Sequence, residues 1–118
     1  MFNRFALAVL TLVVVFTTTF VYESFAQKPV QGQVVSFNNI VMGGNGSVTK
    51  DEAKRLADNG SPIVFKSGSK IYFVYNEDGT FAGKKLANYA GNQKVGIMGK
   101  IKKVKGLNII IMTMIESM

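Results

Sequence analysis

The sequence predicts a mostly β domain: five strands in a small, mostly antiparallel, partly closed barrel, with one short helix after the first strand and a helical turn before the fourth. Three observations carry this prediction. β-Branched and aromatic residues gather in short runs between Val30 and Ile115, separated by Gly- and Asn/Asp-rich turns. One strong helix-start signal stands at Thr49. Gly32, Gly96 and Gly99 fall inside predicted strands, where a tightly curled sheet needs positions without side chains. A flat αβ sandwich with two helices on one face is the alternative architecture.

Ahead of the domain, Arg4 precedes an uncharged stretch from Phe5 to Phe20, and Ser24-Phe25-Ala26 follows. This is the pattern of a secretory signal peptide over residues 1–26, with small residues at Ser24 and Ala26 where the peptidase reads them. The competing reading is an uncleaved anchor over Phe5 to Tyr22, near the lower limit of a spanning helix, although Thr17-Thr18-Thr19 interrupts its apolar character. Cleavage after Ala26 leaves Gln27–Met118 as a single periplasmic or extracellular domain. A chain that short buries only about 60–65% of its unfolded surface, so modest stability is expected.

Within that domain, Val30, Gly32, Val34 and Ser36, continued by Ile40-Val41-Met42, read as a first strand with an irregularity at Asn38-Asn39. Gly43 to Ser47 ends it. Thr49 then serves as N-cap of a helix of about ten residues, with Glu52 placed to complete a capping box. Ala53, Leu56 and Ala57 form its apolar stripe, and Asn59-Gly60 stops it before Pro62. Ile63-Val64-Phe65 and Ile71 to Tyr75 are strands joined by a loop over Lys66 to Lys70. Asn76 to Gly79 is a turn, and Lys84 to Ala90 reads as a helical turn lying across the end of the sheet.

Val95, Ile97, Gly99 and Ile101 alternate with Gly96, Met98, Lys100 and Lys102, which predicts a fourth strand with one buried and one partly solvated face. After a turn at Lys105-Gly106, Leu107 to Ile115 is apolar on both faces apart from Asn108 and Thr113. Such a strand calls for cover on two sides, by the barrel interior on one and by a helix or another molecule on the other.

The order of these pieces, Gly32-Gln33-Val34-Val35, Ala53 to Ala57, Gly60-Ser61-Pro62-Ile63-Val64, Ile71-Tyr72-Phe73-Val74, Leu86 to Gly91, Val95 to Lys100, and Gly106-Leu107 leading to Ile115-Glu116, resembles small exported bacterial OB-like domains of uncharacterised function. The resemblance implies an OB-like barrel. In many of the proteins it resembles, the loop after the first strand and the following helix carry Cys or His. Gly43 to Arg55 contains neither here, so no metal or redox role and no functional residue carries over.

Composition narrows the chemistry further. With no His and no Cys, the usual zinc and copper ligands and the Ser-His and Cys-His nucleophile arrangements are missing, and no disulfide can form. No cofactor and no catalytic group is expected. Gly43 to Ser47 before the helix lacks the Gly-Lys-Ser/Thr ending of a phosphate loop, and Asp51 and Glu52 place negative charge where a phosphate would sit. Asn76 to Thr80 lacks the spaced ligands of a calcium loop.

What remains is charge. The chain carries 14 Lys and Arg against 7 Asp and Glu, a net +7, and removing residues 1–26 leaves that balance unchanged. Such a field favours polyphosphate, acidic glycans, anionic lipid headgroups or nucleic acid, the last being the least fitting outside the cytoplasm. Lys94, Lys100, Lys102, Lys103 and Lys105 cluster around one predicted hairpin and, with Tyr72, Tyr75 and Tyr89, are expected to form an anion-binding face. The plain alternative is that these lysines only keep the domain soluble. A non-enzymatic binding domain is therefore the functional expectation, with a structural or interaction protein that pairs Asn108 to Met114 with a partner or with itself as the second reading.

Overall fold

The computed structural model describes residues 28–118, together with the backbone of Glu23–Phe25. The expected leader, residues 1–26, lies outside the described residues except for those three. Among the described residues, six strands and three short helices follow one another: β1 (Glu23–Phe25), β2 (Val30–Ser36), α1 (Phe37–Val41), α2 (Lys50–Asp58), β3 (Ile63–Ser67), β4 (Lys70–Asn76), α3 (Gly83–Ala87), β5 (Val95–Val104) and β6 (Leu107–Ser117). Five of the strands close in a ring, in the order β5-β2-β3-β4-β6 and back to β5. The fold is mostly β and OB-like, as the sequence predicts, and the ring is only partly closed. β2 meets β5 over Val30–Gly32 alone, whereas β5 and β6 pair along nearly their whole length. Every pairing is antiparallel except that of β4 with β6.

β1 lies along the edge of β5 that β2 leaves open, with Glu23 opposite Lys102 and Phe25 opposite Lys100. Both segments run antiparallel to β5, so they form one interrupted run. The cut expected after Ala26 falls between them.

The interior is filled by inward residues of every ring strand, among them Val34, Ile63, Phe65, Tyr72, Val74, Ile97 and Ile110. Helices α2 and α3 pack on each other and on β3, and deliver Ala53 and Leu86 to the same cluster. Two glycines set how closely the strands approach. A Cβ on Gly32 would strike the carbonyl oxygen of Lys66 in β3, and one on Gly99 the carbonyl oxygen of Ile111 in β6. Gly96 abuts the side chains of Met118 and Pro29 instead.

α2 ends as its sequence dictates. The Thr49 hydroxyl accepts from the Glu52 amide at 3.2 Å, Gly60 takes φ +83°, and Ser61 N–H donates to the Leu56 carbonyl at 2.9 Å while Gly60 N–H donates to Ala57 at 3.1 Å. These last two bonds satisfy carbonyls that the helix end would otherwise orphan.

Three elements differ from expectation. The first strand does not reach Met42: it stops at Ser36, and Phe37–Val41 forms helix α1, so two helices rather than one follow it. Side chains compete here with the strand ladder. The Ser36 hydroxyl accepts from the Asn39 amide at 3.2 Å, and the Asn39 side chain accepts from the Gly46 amide at 2.8 Å. The loop over Lys66 to Lys70 contracts to Gly68-Ser69, because Ser67 and Lys70 pair directly. Finally, β6 changes faces part-way. Met98 pairs with Met114 and Gly99 with Met112, which leaves Thr113 as an extra residue whose hydroxyl donates to the Met98 carbonyl at 3.0 Å. Ile110 and Met112 therefore point inward before the bulge and Ile115 packs on the core after it.

Candidate ligand-binding face

Alternation along β4 puts Tyr72 and Val74 inside, which sends Ile71, Phe73 and Tyr75 to the outer face. The parallel register with β6 places Phe73 beside Ile109 and Tyr75 beside Ile111. The antiparallel register of β6 with β5 then places Ile109 beside Lys102 and Ile111 beside Lys100. Two rows result, Phe73-Ile109-Lys102 and Tyr75-Ile111-Lys100. With neighbouring strands about 4.8 Å apart, each lysine stem starts about 10 Å from the aromatic residue of its row.

Aromatic neighbours hold the β4 end of these rows. Phe37 of α1 meets Phe73 edge-to-face at 5.3 Å, and Phe81 meets Tyr75 in the same manner at 5.4 Å. Phe81 reaches Tyr75 because the chain doubles back after Asn76, bridging Phe81 to Tyr75 and donating Ala82 N–H to the Val74 carbonyl at 2.9 Å. The turn that reverses the chain is held by its own side chains: the Asp78 carboxylate accepts from the Thr80 amide at 3.0 Å and from the Thr80 hydroxyl at 2.6 Å. Those bonds, the hydroxyl's above all, hold the Asp78 carboxyl below its ordinary value of 3.8.

The turn also shapes a groove of about 650 Å³. Phe73, Tyr75 and Phe81 line it from the sheet side, Ser61 and Pro62 from the α2–β3 connection, and Lys84 and Lys85 from α3.

Of the residues expected to bind anions, Tyr75, Lys100 and Lys102 come together on the outer face. The others do not join them. Tyr72 is only 7% exposed and belongs to the core, because its place on β4 has the inward parity. Tyr89 likewise packs against the core. Lys94 precedes β5 at the end remote from its hairpin, about 30 Å of strand from Lys103, and lines a separate groove of about 530 Å³ with Gln31, Gln33, Lys66 and Gln93. Lys103 has the opposite parity to Lys102, and Lys105 sits in the turn at φ +50°.

Sequence reasoning missed Phe73, Ile109 and Ile111 as outer-face residues and Phe81, Lys84 and Lys85 as groove residues. The run Ile71 to Tyr75 has large apolar or aromatic residues at both parities, so it contains no signal for which set faces out. The cover expected on both faces of β6 is also incomplete. Ile109 and Ile111 are half-buried within the outer face, while Leu107 and Met114 are 52% and 50% exposed. Over Asn108–Met112, β6 has β4 on one edge and β5 on the other, so a strand from a partner would have to join beyond Met112.

Among the described residues no cluster of Asp and Glu is suited to holding a metal ion, and no helix is long and apolar enough to cross a membrane. No protein-family model, no curated protein and no solved structure matches the chain.

Proposed function

We propose that this chain is an exported, non-enzymatic binding domain of the bacterial envelope or extracellular space, and that it holds an anionic polymer or headgroup against the outer face of β4, β6 and β5. The observation that supports this most directly is the register that sets Lys100 and Lys102 in line with Tyr75 and Phe73. A strip with ammonium groups on one side and aromatic faces on the other attracts negative charge and offers apolar contact to whatever carries it. The net charge of +7 strengthens the long-range attraction. Lysine is a flexible point charge without the planar fork of arginine, which favours a repeating anion over one rigidly recognised phosphate.

The test is retention on a heparin-type and a phosphate-type resin across a salt series, for the protein and for Lys100→Ala/Lys102→Ala. The wild type elutes later than a neutral protein of equal size, and the double variant elutes at lower salt. Elution together with the neutral protein would end this reading. Equal elution of wild type and double variant would remove the face from it.

A further inference from the structure

We infer that the groove between β4, the α2–β3 connection and α3 is a subsite for one acidic sugar unit, a pyranose carrying a carboxylate or phosphate, of an anionic glycan. This rests on the proposed anion-binding role and narrows it to a ligand class and a place. The groove's volume of about 650 Å³ lies within the usual range for small-molecule sites. Its lining divides into three chemistries that together fit such a ring.

Phe73, Tyr75 and Phe81 supply aromatic faces and edges. The edge-to-face contacts at 5.3 and 5.4 Å stagger the rings rather than letting them close on one another, so apolar ring surface stays available to a flat occupant. Phe81 is 39% exposed, large for an aromatic ring in a folded domain and consistent with a face left for a ligand. The C–H face of a pyranose is the apolar surface that stacks on such rings, whereas a bare polyphosphate has none.

Ser61, Tyr75 and Asn76 bring polar groups to the same groove. These suit ring hydroxyls, which both donate and accept. Lys84 and Lys85, exposed at the start of α3, put two ammonium groups at the rim, the complement of a carboxylate or phosphate on the ring. An apolar chain would make no use of the polar groups, and a neutral sugar would make no use of the two ammonium groups. The groove adjoins the Tyr75 end of the outer face, so an extended glycan seated in it would continue toward Lys100 and Lys102.

The experiment measures binding of three probes to the protein by calorimetry: a galacturonate tetramer, a neutral galactose tetramer, and an inorganic polyphosphate of matched charge. The galacturonate tetramer is expected to bind at least tenfold more tightly than either of the others. Phe81→Leu, which keeps apolar volume but removes the ring, and Lys84→Gln/Lys85→Gln are each expected to weaken it about tenfold or more. On the unaltered protein, amide shifts on adding the tetramer should centre on Phe81 to Lys85 and on Tyr75, which keeps the inference testable if a variant fails to fold. No binding of the galacturonate tetramer, or polyphosphate binding as tightly, would overturn the subsite. So would amide shifts confined to β5. If the Lys100 and Lys102 changes abolish retention on anionic resin while the groove variants leave the tetramer's affinity unchanged, the subsite falls and the anion-binding face stands.

Discussion

Replacing Gly99 with alanine tests the closeness of β5 and β6 on which the closed ring depends. The added Cβ would strike the Ile111 carbonyl oxygen and lie 3.0 Å from the Met112 Cα, both backbone atoms of the facing strand. No side-chain rotation relieves that overlap. Overpacking alone costs about 1–3 kcal/mol. The strands can separate only by loosening the ladder beside the Thr113 bulge, and each hydrogen bond lost adds about 1 kcal/mol. A destabilisation of about 3–4 kcal/mol is expected, a large share of the roughly 5–10 kcal/mol available to a domain of this size. It corresponds to a fall in Tm of at least about 12 °C.

Gly106→Ala separates this effect from glycine's conformational freedom. Gly106 has φ +85° with nothing within 4 Å of the added Cβ, so only left-handed backbone strain applies, about 1–2 kcal/mol. Urea unfolding of the three proteins reads both numbers, provided the slope with denaturant stays constant. If Gly99→Ala costs less than 1 kcal/mol, or less than Gly106→Ala, the close approach of β5 and β6 is wrong.

Two further substitutions probe local structure. Thr49→Ala removes the acceptor for the Glu52 amide. It should cost about 0.5–2 kcal/mol in the same urea assay, with Thr49→Ser close to neutral; an unchanged midpoint for alanine would remove the cap from the account of α2. The Asp78 carboxyl is held below 3.8 chiefly by the Thr80 hydroxyl. A pKa lowered on folding adds stability above the unfolded carboxylate's pKa and loses it as pH falls through the folded value. Carbon-detected titration should therefore place Asp78 below 3.8 and show Thr80→Val moving it upward. A midpoint at or above 3.8 in the wild type would contradict the turn geometry.

Elements that depend on near neighbours were readable from the chain. The α2 cap at Thr49, its stop at Asn59-Gly60 and the alternation through Ile97, Gly99 and Ile101 each rest on contacts within a few residues. α1 shows where local reading fails. Ile40-Val41-Met42 has strand propensity, yet Ser36 and Asn39 use their side chains on the backbone, Phe37 N–H donates to the Pro62 carbonyl at 3.1 Å, and Phe37 rests on Phe73 of a later strand. The candidate site divides in the same way. Tyr75, Lys100 and Lys102 are legible as types, but nothing in Ile71-Tyr72-Phe73-Val74-Tyr75 distinguishes the inward face of Tyr72 from the outward face of Tyr75.

By itself, then, the sequence determined the strand-rich class, the positions of the turns, the absence of thiol and imidazole chemistry, and the positive charge. These follow from composition and from spacings of two to four residues. The tertiary structure alone decided which lysine falls in line with which aromatic residue. That outcome depends on the parallel register of β4 with β6, since the β5–β6 pairing that carries Lys100 and Lys102 runs unbroken from the Lys105-Gly106 turn to Gly99 and Met112. It is settled by pairing residues more than thirty positions apart within the ring, and a shift of one residue in that register would send Phe73 and Tyr75 inward.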